Sequence, residues 1–170
     1  QPVGTASPDF VGGMRNRFSY RGLSLDAFFN FVQGVQVYHN ARELFDSDGA
    51  YPTFNSMRLH DGWSRWEQPG DIATHPKPVS GGNQDSNKPS SRYLEDGSYL
   101  RLRNVTLSYD VPEALVRSAR VGSMRIYLSG DNLLTLTDFS GRDPETGISG
   151  GVGSRYPISK KILLGVDLGL

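Results

Sequence analysis

Cysteine is missing from the whole chain, so no disulfide staples the fold and no thiolate holds a metal. An excess of charge of either sign is missing too: 18 basic and 18 acidic side chains give a formal net charge of +0. Nothing in that balance draws the chain to nucleic acid or to an anionic membrane surface. No run approaches the ~18 consecutive apolar residues of a membrane-spanning helix. The opening QPVGTASPDF has neither the basic stretch nor the apolar core of a signal peptide. Apolar residues are themselves scarce, at 36%, whereas 20 Gly and 10 Pro punctuate the 170 residues. A packed water-soluble domain of this length is richer in apolar side chains. The deficit suits a transmembrane β-barrel, in which alternate strand residues face a polar lumen and long loops stand in water.

What is present is a set of period-two stretches. In GGMRNRFSYRG, Met14, Asn16, Phe18 and Tyr20 alternate with Arg15, Arg17, Ser19 and Arg21. The next stretch, LSLDAFFNFVQG, puts Leu23, Leu25, Ala27, Phe29 and Phe31 on one face. The two meet at Arg21-Gly22, which predicts a tight hairpin. In SYLRLRNVTLSYDVP the apolar phase changes from Leu100 and Leu102 to Val105, Leu107 and Tyr109, which predicts a bulge near Asn104. MRIYLSGDNLLTL makes a fourth strand. In KKILLGVDLGL, Ile162, Leu164, Val166, Leu168 and Leu170 alternate with Lys161, Leu163, Gly165, Asp167 and Gly169. The strands are thus expected near residues 12–22, 23–33, 98–111, 122–137 and 158–170, with loops at 34–97 and 138–157. A short helix is expected between Asn40 and Phe45.

Short and long connections alternate along the chain: Arg21-Gly22, Gly34 to Gly97, Pro112 to Val121, Asp138 to Pro157. If consecutive strands are antiparallel, the long loops share one end of the sheet and the short turns the other. Outer-membrane barrels have this asymmetry. Each strand also reaches the ~9–11 residues that cross a bilayer at a tilt. Leu23, Leu25, Phe29, Phe31, Val105, Leu107, Ile126, Ile162, Leu164, Val166 and Leu168 are expected to face lipid. Arg15, Arg17, Asp26, Lys161 and Asp167 are expected to face the lumen. Phe18, Tyr20, Phe29, Phe31, Tyr99, Tyr109 and Tyr127 fall mostly near strand ends, where interfacial aromatic girdles occur.

The stretches SYLRLRNVTLSYDVPEAL, SMRIYLSGDNLLTLTDFSGRDPE and YPISKKILLGVDLGL resemble the C-terminal end of the SusC/RagA family. These are TonB-dependent outer-membrane transporters of Bacteroidota. PDFVGGMRNRFSYRGLSLDAFFNF resembles the hairpin that precedes those segments. Gly165, Leu168 and Leu170 resemble the C-terminal signal for barrel assembly, with Leu where an aromatic is usual. The resemblance implies an all-β fold: about five strands of a plugged barrel of about 22. It also implies import of oligosaccharides or peptides, powered through TonB, under a SusD-like lipoprotein lid. Five strands cannot close a barrel, and an open edge cannot stand in lipid. The family's plug domain and TonB-contact segment are not found in these residues. The expected partners are therefore the remainder of the barrel (same protein or another chain), the SusD-like lipoprotein, TonB through the missing N-terminal part, and the lipid bilayer. The expected reading is a cut or divided transporter, with the long loops outside the cell and Pro112 to Val121 in the periplasm.

Enzyme chemistry and bound cofactors find no support. His39, His60 and His75 lack ligand spacing, and the simpler reading is solvated surface histidine. DSDG, Asp46 to Gly49, begins like a Ca²⁺ loop, but no Glu follows where one is needed, and a helix-ending turn fits better. Gly147, Gly150, Gly151 and Gly153 make no dinucleotide fingerprint and read as loop. Asp138, Asp143 and Glu145 have the types of an acid/base pair, but turn-forming or lid-facing polar residues explain them more simply. Tyr51, Phe54, Trp63 and Trp66 lie in the longest loop, where they either contact lid or substrate or fold the loop onto itself. Two other functions compete: a structural barrel subunit of a larger outer-membrane complex, and a soluble β-sandwich carbohydrate-binding module. The module predicts polar outer faces in place of Leu23, Leu25, Phe29 and Phe31.

Overall fold

The computed structural model describes residues 4–54, 57–117, 121–145 and 156–169. They fall into two compact units. The sheet unit contains β1 (Phe10–Tyr20), β2 (Leu23–Gln33), β5 (Tyr99–Asp110), β6 (Ser123–Thr137) and β7 (Lys161–Gly169). The loop unit is built on Gln36–Glu95 and holds β3 (Gln36–Tyr38), α1 (Ala41–Phe45), a 3-10 turn at Ser91–Tyr93, and β4 (Leu94–Asp96), which pairs with β3. A four-residue helix, α2 (Glu113–Val116), lies between β5 and β6.

The sheet runs β1-β2-β5-β6-β7, and every neighbouring pair is antiparallel. The hairpin turns at Arg21 (φ 46) and Gly22 (φ 83). Positive φ at both central residues is the twist-matched two-residue turn. Gly22 is required twice, because a β-carbon there would also press on the Asp110 carbonyl at 2.9 Å.

Residues opposite one another in an antiparallel ladder share a face, so the register sorts the side chains. Phe18↔Leu25, Leu25↔Leu107, Leu107↔Leu128 and Leu128↔Leu164 carry one apolar line across all five strands. Arg17↔Asp26, Asp26↔Thr106, Thr106↔Ser129 and Ser129↔Leu163 run across the opposite face. That face also holds Arg15, Arg125, Lys161 and Asp167. The bulge falls at Arg103, which both ladders skip: Leu102 pairs with Phe29 and Leu134, and Asn104 with Phe28 and Asp131. One extra residue brings Leu100 and Leu102 onto the face of Val105 and Leu107.

The aromatic residues divide differently from the sequence expectation. Phe18, Tyr20 and Tyr109 gather at the turn end of the apolar face, and Phe10 meets Phe31 edge-on at the other end. Tyr99 and Tyr127, by contrast, stand on the polar face. Tyr99 is buried beneath the Arg101 guanidinium, 5.2 Å from its ring centre. Arg101 reaches Asp143 at 2.6 Å, and Asp143 accepts the Ile158 N–H at 3.1 Å.

The apolar face has no layer packed on it among the described residues. Ile162, Leu164 and Leu168 are 74%, 72% and 59% exposed. Burying an aliphatic side chain is worth ~1.5–3 kcal/mol, so this face calls for an apolar surrounding.

Candidate functional site

The loop unit folds around charge. Asn40 precedes α1, and a one-turn helix places Arg42 and Asp46 on one face, four residues apart. Asp46 is fully buried, with Arg42 Nη2 at 2.9 Å from its Oδ2 and Arg92 Nη2 at 3.0 Å from its Oδ1. The chain then reverses through Asp48 (φ 51) and Gly49 (φ 89). This buries Asp48, which accepts from Arg65 at 3.0 Å, from Ser86 at 3.0 Å and from Arg92. Arg42 also spans to Glu95 at 2.8 Å, tying α1 to β4. Val37 and Tyr93 are the apolar side chains fully buried in this unit.

Burial of an unpaired ion is prohibitive, so such a core survives only when its ion pairs are complete. Burial alone would push Asp48 up, but the Arg92 and Arg65 hydrogen bonds outweigh it and hold the carboxyl below its ordinary 3.8. Burial lowers Arg92, but its hydrogen bond to Asp48 and the charges of Asp46 and Asp48 outweigh it and raise the guanidinium above its ordinary value. Tyr38 is pushed up to about 12 by burial and by its hydrogen bond to Glu43 at 2.5 Å.

His75 departs from the expectation of a solvated surface histidine. It is 3% exposed; Nε2 lies 2.8 Å from Asp46 Oδ2, and Nδ1 lies 2.8 Å from the Thr74 hydroxyl. Burial first, then Arg92 and Arg42, carry it below 6.5 against the pull of Asp46. His39 contacts Glu95 at 3.3 Å, and His60 packs on Trp63 at 4.8 Å.

The loop aromatics separate into two groups. Trp63 points inward: Arg42 lies 4.5 Å over its ring, and His75 stacks at 4.9 Å. Tyr51 and Phe54 pair at 5.5 Å and remain exposed, with Leu44, Phe45 and Thr53 completing a shallow hollow beside Phe54. Trp66 is also exposed. Asp143 belongs to the sheet unit through Arg101, whereas Glu145 is exposed and belongs to the loop unit. Gly165 and Leu168 lie on β7, facing Tyr127 and Met124. Leu170, Gly147, Gly150, Gly151 and Gly153 lie outside the described residues. The ionic core is what sequence reasoning missed. Its signals were the Arg42/Asp46 spacing and the paired aspartates of DSDG.

No family model matches the chain. TonB-dependent receptor P3 of Formosa agariphila is 32% identical over 143 residues, covering 84% of this chain and 13% of that protein. TonB-dependent receptor P26 of the same organism is 32% identical over 178 aligned positions, covering 98% of this chain and 17% of that protein. Among solved structures, the RagAB peptide importer in the "open-open" state is similar with a TM-score of 0.84 and 30% identity. That match covers 100% of this chain and 18% of the other. The "closed-closed" state gives 0.79 at 29% identity, over 99% of this chain and 18% of the other. The chain therefore spans less than a fifth of the length of the relatives it matches. Relatives over nearly all of these residues agree with the five antiparallel strands: the chain belongs to the SusC/RagA-like TonB-dependent receptors of the outer membrane and corresponds to one segment of their length.

Proposed function

We propose that this chain is a C-terminal section of the barrel wall, with its outer loops, of a transporter that imports oligosaccharides or peptides. A SusD-like lipoprotein covers the loops, TonB supplies energy through a plug domain outside these residues, and no catalysis is involved. The observation that carries this reading is the sorting of side chains across the sheet: one face apolar from β1 to β7, the other holding Arg15, Arg17, Asp26, Arg125, Lys161 and Asp167. A water-soluble sandwich would bury the first face against a second sheet. A barrel wall turns it to lipid and the charges to the lumen. Similarity to an importer of peptides supports transport over a purely structural subunit.

On this reading the loop unit and the segment from Asp138 to Pro157 lie outside the cell, and Pro112 to Val121 lies in the periplasm. Tyr51, Phe54 and Trp66 then offer apolar faces that stack on sugar rings or on apolar peptide side chains, or pack against the lid. Deleting the intact receptor from its native host tests the proposal, with uptake of labelled oligopeptides and oligosaccharides measured in parallel. Loss of one class, and the same loss when TonB is removed, is the expected result. Unchanged uptake of both classes in the deletion strain would overturn it.

A further inference from the structure

We propose that His75 makes the Gln36–Glu95 unit acid-sensitive: proton uptake by this buried imidazole adds a fourth cation to a core that balances three guanidiniums against three carboxylates, and loosens the unit. The guanidiniums are Arg42, Arg65 and Arg92, and the carboxylates are Asp46, Asp48 and Glu95, all joined by ion pairs.

The groups that face His75 come from three places in the unit. From α1 and its end come Arg42, with Nη2 3.5 Å from Nε2, and Asp46 at 2.8 Å. Trp63 covers the ring, and Arg92 in the 3-10 turn reaches the other oxygen of the same Asp46. Asp46 is the only carboxylate bonded to the imidazole among the described residues, and two guanidiniums already engage it. Those two guanidiniums repel an imidazolium and, together with burial, oppose the attraction of Asp46.

The hydrogen bonds accept either state of the ring. In the neutral ring Nε2–H donates to Asp46 and the Thr74 hydroxyl donates to Nδ1. On protonation the hydroxyl turns its hydrogen to the Ser64 carbonyl, 3.1 Å away, and accepts from Nδ1–H. Charge is therefore what fails to balance. Where the folded unit resists a proton that the open unit takes up freely, stability is complete above the ordinary imidazole range and declines as pH falls through it.

The inference goes beyond transport and its test needs none, so its failure leaves the proposed function untouched. Purified intact receptor in detergent is subjected to limited proteolysis, with an unfolded substrate as reference for the protease's own pH profile. Cleavage within residues 36–95 should rise by up to about tenfold between pH 7.5 and pH 5.5, the limit for one proton. His75→Gln keeps a donor toward Asp46 and does not titrate, so its cleavage should be flat over that range. A wild-type rate equal at both values, or the same rise in His75→Gln, overturns the proposal. If His75→Gln is cut rapidly at both values it has failed to fold, and a wild-type measurement decides alone. Hydrogen–deuterium exchange at the imidazole carbon, read by mass spectrometry, reports His39, His60 and His75 separately. Titration of His75 below 6.5 is expected, and titration at or above that value overturns the proposal.

Discussion

Tyr127 of β6 stands opposite Gly165 of β7, and its ring occupies the space that a β-carbon at Gly165 would need. The glycine thus seats an aromatic ring on the polar face, whatever part it also plays in assembly. Gly165→Ala should force the ring or the strand aside, at a cost of about 1–3 kcal/mol for overpacking. The intact receptor should then lose its heat-modifiable, folded band at a lower temperature than wild type. In a Tyr127→Ala background the same substitution should cost almost nothing. Equal costs in both backgrounds would show that the ring is not what excludes the β-carbon.

Leu163 and Leu164 are adjacent in sequence and opposite in environment. Leu164 pairs with Leu128 on the apolar face, and Leu163 with Ser129 on the polar one. Leu164→Arg should cost about 2–4 kcal/mol if the apolar face meets the bilayer midplane, whereas Leu163→Arg should be tolerated. Spin labels give a second reading, with a lipid-soluble quencher reaching position 164 and not 163. The reverse order at either readout would turn the sheet inside out.

The sheet was legible and the loop core was not, for reasons of range. Alternation is local, so Ile162 to Leu168 declared their face within seven residues, and even the bulge showed as a phase change between Leu102 and Val105. The aromatic girdle was only partly legible, because neither Tyr99 nor Tyr127 signals in sequence which partner covers its ring. In the loop unit the decisive contacts join distant positions: Arg92 to Asp48, His75 to Asp46, Arg42 to Glu95. No period links them. Asp46 and Asp48 read as a helix-ending turn, which they do form, with nothing to say that the turn would be buried. Trp63 and Trp66 share composition and neighbourhood, yet only the first lies under a guanidinium.

Asp48 provides a pH test distinct from that of His75. Its carboxyl lies below 3.8, held there against burial by Arg92 and Arg65. A depressed carboxyl contributes stability that is present above the unfolded value and is lost as pH falls through the folded one. Protease resistance of the loop unit should therefore decline again below about pH 4, after any change due to histidine. Arg65→Gln removes one of the opposing hydrogen bonds and brings the folded carboxyl closer to its unfolded value, so this second decline should become smaller. Asp48→Asn should remove the second decline while costing about 3–5 kcal/mol at neutral pH, since it leaves buried guanidinium charge uncompensated. A second decline that is undiminished in Arg65→Gln would place the titrating carboxylate elsewhere.

The β7 strand should matter for assembly more than for any chemistry of transport. Leu168 pairs with Met124 and Val166 with Ile126 on the apolar face, and Asp167 pairs with Arg125 on the other. Removing residues 166–170 deletes this backbone ladder and leaves the first four residues of β6, Ser123 to Ile126, without hydrogen-bond partners on that side. Unsatisfied strand edges are not tolerated in lipid, so the truncated receptor should reach the outer membrane in much reduced amount. Changing Leu168 and Leu170 to Asp keeps the ladder of β7 but charges the apolar face at position 168, and should give an intermediate loss. Leu170→Phe should assemble normally. Heat-modifiable migration of the outer-membrane fraction reports the folded barrel for all three. If the truncated receptor assembles at the wild-type level and loses only uptake, β7 serves transport itself and the assembly role is excluded.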